Sequence, residues 1–236
     1  MPDHGFDPCS PPTDGRLPVS RIQKIISSRM LQSKQEKPSY YLRINADMTL
    51  LTTTRREIGR KLKAKLSTND FLIKAMALAV EEYPLLAADL KGDFLEIAPT
   101  VNIGLAVAAP HGLVVPVIKD CHTKSLIDIA KDSQDFIEKA RSNKLTPNDL
   151  SGACITLTNL GVYNIESFYA VMPPGQCAIL AIGRNVETSV PIQNGFADRK
   201  LLAITLAADY RIVTARYGAQ FLNRVKELLE SPRSLI

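Results

Sequence analysis

The chain has 236 residues, of which 45% are hydrophobic, so it can bury one large core and we expect a single folded domain. Its formal net charge is +5, but no aromatic residues are interleaved with its basic segments, which disfavours nucleic acid as a partner. The longest apolar run, residues 71–80, contains Lys74 and is too short to cross a bilayer, and the first residues lack the pattern of a signal peptide.

The cysteine pattern indicates a reducing compartment. The four cysteines are Cys9, Cys121, Cys154 and Cys177. Their spacing matches neither a disulfide framework nor a metal site, and three of them lie in or beside apolar runs, where a reduced cysteine behaves as a small hydrophobic residue. His4 and Cys9 alone could not complete a tetrahedral zinc site. We therefore expect a protein of the cytoplasm or the mitochondrial matrix, without a bound metal.

Residues 1–15, MPDHGFDPCSPPTDG, are rich in Pro, Asp and Gly and predict an extended or disordered lead-in. The folded domain is therefore expected over residues 16–236. It opens with a capping-box pattern at Ser20 and Gln23, which predicts a helix over residues 21–34. An apolar stripe on that helix is formed by Ile22, Ile25, Ile26 and Met30.

A strand and two helices follow. Alternating apolar side chains over residues 40–48 predict a half-buried strand. The basic stretch at residues 55–65 indicates the solvated face of a helix over residues 49–65, with contact to an acidic partner or a phosphate as the alternative interpretation. Residues 69–82 are apolar around most of the helix circumference and therefore predict a central helix.

The second half of the chain alternates strands with two helices. Strands are predicted over residues 101–109, 113–118, 153–158, 176–183 and 203–209. A Pro-His-Gly turn at residues 110–112 separates the first two strands, and residues 187–200 are interpreted as a variable loop. Capping and apolar spacing predict helices over residues 125–142 and 215–230.

Several segments, in the same order along the chain, resemble the dihydrolipoamide acyltransferases, the core subunits of 2-oxo acid dehydrogenase complexes, and their relative chloramphenicol acetyltransferase. They include RIQKIISSRMLQSKQEKPSYYL at residues 21–42, GLVVPVIKDCHTKSL at residues 112–126, ITLTNLG at residues 155–161 and AITLAADYRIVTARYGAQ at residues 203–220. The resemblance implies an α/β fold, a two-layer sandwich with a mixed sheet, in a trimer whose active-site channel lies between subunits. It also implies cubic or dodecahedral assemblies of trimers as a larger form, with Leu235 and Ile236 docking into a neighbouring trimer.

The signature segment of this family is altered here. In the family it is Asp-His-Arg, two apolar residues, then Asp-Gly, and the histidine is the catalytic base. This chain has Asp209-Tyr210-Arg211-Ile212-Val213-Thr214-Ala215. Tyr210 thus replaces the base and Thr214 replaces the acid, while Asp209 and Arg211 retain the structural part of the motif. A tyrosine hydroxyl has an unperturbed pKa near 10, so it is a poor proton acceptor at neutral pH.

The oxyanion half of the family's site is closer to its usual sequence. A serine hydroxyl stabilises the tetrahedral intermediate in the family, and Thr158 stands at that position, followed by Asn159 and Gly161 as in the family. A β-branched residue at the end of a strand explains Thr158 equally well. The family transfers an acyl group between a dihydrolipoyl thiol and coenzyme A. Both are possible substrates here, and no covalently bound cofactor is expected in this chain.

Three hypotheses of function follow. The first is a catalytically degraded core subunit that acts as a scaffold, in homotrimers or mixed with catalytic subunits, similar to the non-catalytic protein X of these complexes. The second is an active acyltransferase with another base, for which His111, His122 or a perturbed Tyr210 are candidates. The third is a ligand-binding protein that uses the former channel. The neighbours Cys121 and His122 point to opposite sides of an extended chain, which disfavours a thiol–imidazole pair.

Overall fold

The fold is that of a computed structural model, which describes residues 15, 16, 19, 21–110 and 112–236. Nearly all of the predicted lead-in, with His4 and Cys9, lies outside the described residues, as do Ser20 and the candidate base His111. The helices are α1 (Arg21–Glu36), α2 (Thr49–Lys61), α3 (Thr68–Glu82), α4 (Leu126–Arg141) and α5 (Ala215–Glu230). Within the described ranges, no helix is long and apolar enough to cross a membrane.

The strands form one main sheet and two small hairpins. They are β1 (Ser39–Asp47), β2 (Ala88–Lys91), β3 (Phe94–Ile97), β4 (Ile103–Leu105), β5 (Val107–Ala109), β6 (Gly112–Val114), β7 (Val117–Ile118), β8 (Ile155–Asn159), β9 (Ala178–Ile192) and β10 (Gly195–Asp209). The main sheet has the order β1-β10-β9-β8-β4-β7, and β8 runs parallel to both of its neighbours while the other pairs are antiparallel. Helix α3 packs against α4 and α5, and α5 lies against β1. The predicted two-layer α/β sandwich with a mixed sheet is confirmed.

Helix α3 forms the centre of the core, as its apolar sequence predicts. Its buried side chains include Phe71, Leu72, Ile73, Met76 and Val80. The helix begins at Thr68, one residue before the predicted start, because Ser67 and Asp70 form a capping box. The Ser67 hydroxyl accepts from the Asp70 amide at 3.3 Å, and the Asp70 carboxylate accepts from the Ser67 amide at 2.6 Å. This cap fixes the position of the first turn of α3.

The predicted loop over residues 187–200 is wrong. Strands β9 and β10 continue through it as an antiparallel hairpin that remains paired up to Ile192 and Gly195. The chain reverses through Gln193 and Asn194, and Gly195, the first residue of β10, adopts a φ of +128° that favours glycine. Asn-Gly is a hairpin signal that predicts this turn, but the flanking residues are mostly polar and hide the period of the strands.

Helix α1 forms as predicted, but its apolar stripe lies largely outside the core of the chain. Ile25 and Ile26 are exposed, whereas the polar Ser33 is buried and donates to the Met172 carbonyl at 2.6 Å. The side chain of Ile22 lies outside the described residues. The stripe therefore contributes little to the core of a single chain.

Local turns shift other boundaries. Helix α2 ends at Lys61, before the predicted end at residue 65, because Lys63 has a left-handed φ of +50° and the Ala64 amide donates back to the Gly59 carbonyl at 2.9 Å. The hairpin of β2 and β3, which the sequence analysis missed, turns through Gly92 at a φ of +58°. The predicted strands over residues 101–109 and 113–118 are each interrupted and form two short strands.

The C-terminal helix α5 has the predicted bounds, and Leu222, Val225, Leu228 and Leu229 are all buried. The last two residues differ in burial. Leu235 is only 2% exposed and packs into the core of its own chain. Ile236 remains 61% exposed and available for the predicted contact with a neighbouring trimer.

Candidate functional site

The signature turn is held by an ion pair at the end of β10. Asp209 is buried, and its carboxylate accepts from Arg211 through Nη2 at 2.6 Å and Nε at 3.0 Å, and from the Arg211 amide at 3.0 Å. These bonds raise the pKa of the Arg211 guanidinium further above its usual value. The Asp209 amide also donates to the Cys177 carbonyl at 2.8 Å, which ties the turn to the start of β9. The ion pair of Asp209 with Arg211 thus fixes the turn that follows β10.

Tyr210 projects from this turn at the surface, with 57% of its area exposed. Its amide donates to the Pro38 carbonyl at 3.1 Å, and its ring meets the ring of Tyr40 edge-on, with centroids 5.4 Å apart and planes at 78°. The side chain therefore packs on a neighbouring aromatic residue, an arrangement typical of paired rings in protein interiors and surfaces.

Tyr40 and Thr214 complete this packing cluster, and sequence reasoning missed the role of Tyr40. The Tyr40 hydroxyl donates to the Thr214 carbonyl at 3.0 Å, and burial together with Tyr210 raises the pKa of Tyr40 to about 12. A Cβ at Gly218 would lie 2.6 Å from the Tyr40 oxygen, so the glycine in α5 leaves room for the Tyr40 hydroxyl. The Thr214 hydroxyl accepts from the Tyr217 amide at 3.4 Å and caps α5.

The Thr158 half of the site lies where β8 ends. The Asn159 side chain donates to the Asn69 side-chain oxygen at 2.8 Å and accepts from the Gly161 amide at 2.8 Å. A Cβ at Gly161 would lie 2.5 Å from the Gly183 carbonyl, so the two backbones touch directly. Asn159 and Gly161 thus hold the end of β8 against β9 and the first turn of α3.

A cleft of about 330 Å³ opens at this junction. Its lining residues include Ser67, Thr68 and Asn69 from the start of α3, Asn159 and Gly161 after β8, and Gly183, Arg184 and Asn185 from β9. The Arg184 Nε is buried and has no hydrogen-bond partner among the described residues.

The chain also has a basic groove of about 790 Å³, and the residues that line it end directly before those that line the cleft. Its cations are Arg55, Arg56, Arg60, Lys63 and Lys65. Within the described part of the chain, none of these five side chains forms an ion pair within 4 Å, whereas the neighbouring Lys61 pairs with Glu57. Residues 63–66 line the groove and residues 67–69 line the cleft, so the two depressions share one stretch of chain. Unpaired cations around a concave surface favour an anionic ligand.

Thr158 and Tyr210 do not meet within one chain. Strand pairing places Thr158 beside Ala181 and Ala181 beside Thr205, and Tyr210 follows Thr205 by five residues. At about 3.3 Å per residue and about 4.8 Å between strands, the two Cα positions are roughly 19 Å apart. The two halves of the predicted site therefore lie too far apart for a direct hydrogen bond.

The other candidate base, His122, does not reach Thr158 either. The preceding Cys121 amide donates to the Val101 carbonyl at 2.9 Å, at the end of the sheet where β8 begins. Thr158 lies near the opposite end of β8, roughly 17 Å further along the strand direction. Within one chain, His122 therefore lies too far from Thr158 for a direct hydrogen bond, and its role as an alternative base stays a prediction.

The described cysteines offer no reactive nucleophile. Cys121, Cys154 and Cys177 are free and buried. Burial raises the pKa of Cys121 and Cys177 to about 12, so both thiols stay protonated at neutral pH. Across the described ranges, no group of three or more His, Cys, Asp or Glu residues could hold a metal ion.

Comparison with known protein families establishes the family of this chain. Residues 11–236 match the family described as 2-oxoacid dehydrogenases acyltransferase (catalytic domain). The chain belongs to this family. Among curated acyltransferases, the acetyltransferase component of the Schizosaccharomyces pombe mitochondrial pyruvate dehydrogenase complex is 36% identical over 225 residues, which cover 93% of this chain and 47% of that protein. The chain thus spans about half the length of the curated relatives it matches.

Solved acyltransferase structures share the fold. The dihydrolipoamide acetyltransferase of Azotobacter vinelandii is 29% identical, with a TM-score of 0.89 over 98% of this chain and 99% of that one, and a cubic core of the pyruvate dehydrogenase complex gives the same values. Chloramphenicol acetyltransferase, at 11% identity and a TM-score of 0.53 over 90% of this chain and 98% of that one, shares the fold alone.

The Azotobacter enzyme has a Ser, a His and an Asn whose role in its catalytic mechanism was investigated. In that protein the Ser precedes the His by 52 residues and the Asn follows the His by 4. Thr158, Tyr210 and Thr214 have the same two spacings in this chain.

Proposed function

We propose that this acyltransferase-family chain is a core subunit of a 2-oxo acid dehydrogenase-type complex that acts as an assembly component and has lost most of its own acyl transfer. The observation that carries this proposal is the packing cluster of Tyr40, Tyr210 and Thr214. Tyr210 and Thr214 stand at the spacings of the His and the Asn of the Azotobacter enzyme, and both are engaged in packing and capping instead.

The chemistry of thioester exchange explains why this change matters. A thiol with a pKa near 8.5 must lose its proton as it attacks the thioester carbonyl, and an imidazole with a pKa near 6.5 suits that transfer. A phenol with an ordinary pKa near 10 is a poor acceptor at neutral pH, and loss of a general base typically costs about 10²- to 10⁴-fold in rate. The Thr214 side chain has neither a carboxylate nor an amide, and its hydroxyl caps α5.

A trimeric assembly is the second part of the proposal. The separation of roughly 19 Å between Thr158 and Tyr210 leaves two half-sites per chain, which a neighbouring subunit would complete. The likeness to a cubic core supports a larger assembly of trimers, either of this chain alone or mixed with catalytic subunits. Buried free thiols and the mitochondrial relative support a reducing compartment, the cytoplasm or the mitochondrial matrix.

The cleft and the basic groove support retained binding of coenzyme A, with a dihydrolipoyl group as the other possible substrate. Asn69 and Arg184 offer polar groups to the amide-rich pantetheine arm, and the cations of the groove suit the phosphate groups. The same features favour a second candidate function, an active acyltransferase with a modified mechanism. The intact network of Asn159 with Asn69 and Gly161 is the observation behind that candidate.

Two measurements on the native protein test the proposal. Light scattering gives the particle mass, and acetyl transfer from acetyl-CoA to dihydrolipoamide gives the turnover. We expect a trimer or larger particle with turnover about 100-fold or more below that of a related acetyltransferase. A monomer would contradict the assembly role, and a rate close to that of the relative would favour the active enzyme.

A further inference from the structure

We propose that the basic groove at the end of α2 docks an acidic segment of a partner protein, which competes there with the phosphate groups of coenzyme A. The docking goes beyond the proposed assembly role and does not depend on it. Only the competition rests on the proposed function, because it requires that the chain binds coenzyme A.

The positive charge of the chain is concentrated in this one segment. Residues 55–65 carry six basic side chains and one acid, a net charge of +5, which equals the formal net charge of all 236 residues. The rest of the chain is therefore neutral in sum. An anionic partner is steered toward the groove rather than toward the whole surface, because the local potential follows the local charge.

The exposed cations of the groove have no acidic partners. Arg56, Arg60, Lys63 and Lys65 are exposed, and none of them forms an ion pair in the part of the chain that the structure describes. On α4 and α5, by contrast, basic side chains pair with acids one turn away. A helix face that meets only solvent normally mixes both signs of charge, so four unpaired like charges favour an anionic partner.

The groove also has a fixed shape. Gly59 allows the turn after α2 to fold back on the helix, because a Cβ there would lie 2.8 Å from the Ala64 carbonyl oxygen. The Ala64 amide donates to the Gly59 carbonyl at 2.9 Å, and Leu66 anchors the turn with only 8% of its area exposed. The cations therefore surround a preformed concave surface, which lowers the entropic cost of binding.

The spacing of the cations matches an acidic polypeptide. Arg56 and Arg60 lie one helical turn apart, about 6 Å along the axis, and Lys63 and Lys65 continue in the turn beyond the helix. In an extended segment, side chains two residues apart lie on one face, about 6.6 Å from each other. Alternate Asp or Glu residues can therefore meet successive cations of the groove through charge-assisted hydrogen bonds.

The lining of the groove favours a polypeptide over nucleic acid. Single-stranded nucleic acid is normally held by aromatic side chains that stack on its bases, together with basic side chains. Among the described residues that line the groove, none is aromatic, and the uncharged ones are Gly59, Ala64 and Leu66. Such small and aliphatic residues let a polypeptide backbone approach closely.

Fluorescence anisotropy with a labelled peptide of alternating Glu and Ser residues tests the docking on the native protein. The control peptide has Gln in place of each Glu. We expect the acidic peptide to bind at least about 10-fold more tightly than the control at low salt, because the cations of the groove select carboxylates. Equal binding of the two peptides, or binding of neither, would overturn the proposal.

Two double variants locate the bound peptide. Arg56→Ala with Arg60→Ala removes two exposed cations of the groove and should weaken peptide binding about 10-fold. Lys61→Ala with Lys226→Ala is the matched control, since it removes two cations that lie outside the groove and already pair with acids. Equal losses in the two variants would show attraction to the net charge alone and would overturn the proposal.

Two further probes decide between kinds of occupant. Tripolyphosphate and an oligothymidylate are each titrated against the bound acidic peptide. We expect neither to bind more tightly than the peptide. A groove that preferred tripolyphosphate would be a phosphate site, and one that preferred the oligothymidylate would be a nucleic-acid site. Either result would overturn the assignment to a protein partner.

Coenzyme A tests the competition separately. We expect it to displace the labelled peptide, because both need the cations of the groove. Simultaneous binding of both, without displacement, would overturn the competition. If calorimetry detected no coenzyme A binding while the peptide still bound, the competition and the proposed binding of coenzyme A would both be wrong, and the docking would stand.

Discussion

The contact between Tyr40 and Gly218 predicts a specific result in a double-mutant cycle. In Gly218→Ala, the new Cβ would lie 2.6 Å from the Tyr40 oxygen and 3.1 Å from Leu206 Cδ2. Helix α5 would gain about 1 kcal/mol in propensity, whereas overpacking costs about 1–3 kcal/mol. Displacement of the Tyr40 hydroxyl from the Thr214 carbonyl costs about 1 kcal/mol more. We expect a net destabilisation of about 1–3 kcal/mol.

Removal of the hydroxyl should relieve this cost. Tyr40→Phe alone loses one hydrogen bond to the Thr214 carbonyl, about 1 kcal/mol. In the double variant the closest neighbour of the new methyl group is the Leu206 carbon, which is a smaller violation. We therefore expect the double variant to be as stable as Tyr40→Phe within about 0.5 kcal/mol.

Urea unfolding followed by circular dichroism, at one fixed protein concentration, measures these differences. Tyr163→Phe is the matched control, because Tyr163 is exposed and should combine additively with Gly218→Ala. If Gly218→Ala costs the same with and without the Tyr40 hydroxyl, Tyr40 is not fixed between α5 and Tyr210, and the packing cluster would be refuted.

Three further predictions concern the tail, the thiols and the groove. Leu235→Ala should cost about 2–4 kcal/mol in unfolding free energy without changing the particle mass, because Leu235 is buried in its own chain; a smaller particle of unchanged stability would contradict this. Burial raises the pKa of the Cys177 thiol from 9.0 to about 12, so the stability it contributes is complete below pH 9 and is lost as the pH rises toward 12. The free energy of unfolding, from urea titrations between about pH 8 and 10.5, should therefore fall less steeply in Cys177→Ala, by up to about 1.4 kcal/mol per pH unit, and equal slopes would count against the burial of this thiol. Arg56→Ala and Arg60→Ala should each weaken coenzyme A binding about 5- to 10-fold in calorimetry, most strongly at low salt, whereas Lys61→Ala, which pairs with Glu57, should not.

Local patterns were sufficient for the central helices of the fold. The apolar circumference of α3 and the stripe of α5 gave the correct helices, because burial on a helix follows a fixed period. The cap at Ser125 likewise marked the start of α4. The long hairpin of β9 and β10 escaped prediction because its strands project from the core, where neither face requires a regular apolar pattern.

The candidate site depended on contacts between distant parts of the sequence. The resemblance identified Thr158, Tyr210 and Thr214, but sequence alone could not give the register that separates Thr158 from Tyr210. It also could not show that Tyr40 lies between Tyr210 and α5, or that Leu235 returns to its own core, since both depend on tertiary packing.

The central claim is that the chain keeps its acyl-transfer architecture and lacks the proton acceptor. Acetyl transfer to dihydrolipoamide, measured side by side for the native chain and for Tyr210→His with Thr214→Asn, tests it most directly. We expect a gain of about 100-fold or more in the variant, at an unchanged particle mass. A native chain that already turns over rapidly, with no gain from the imidazole, would contradict the claim.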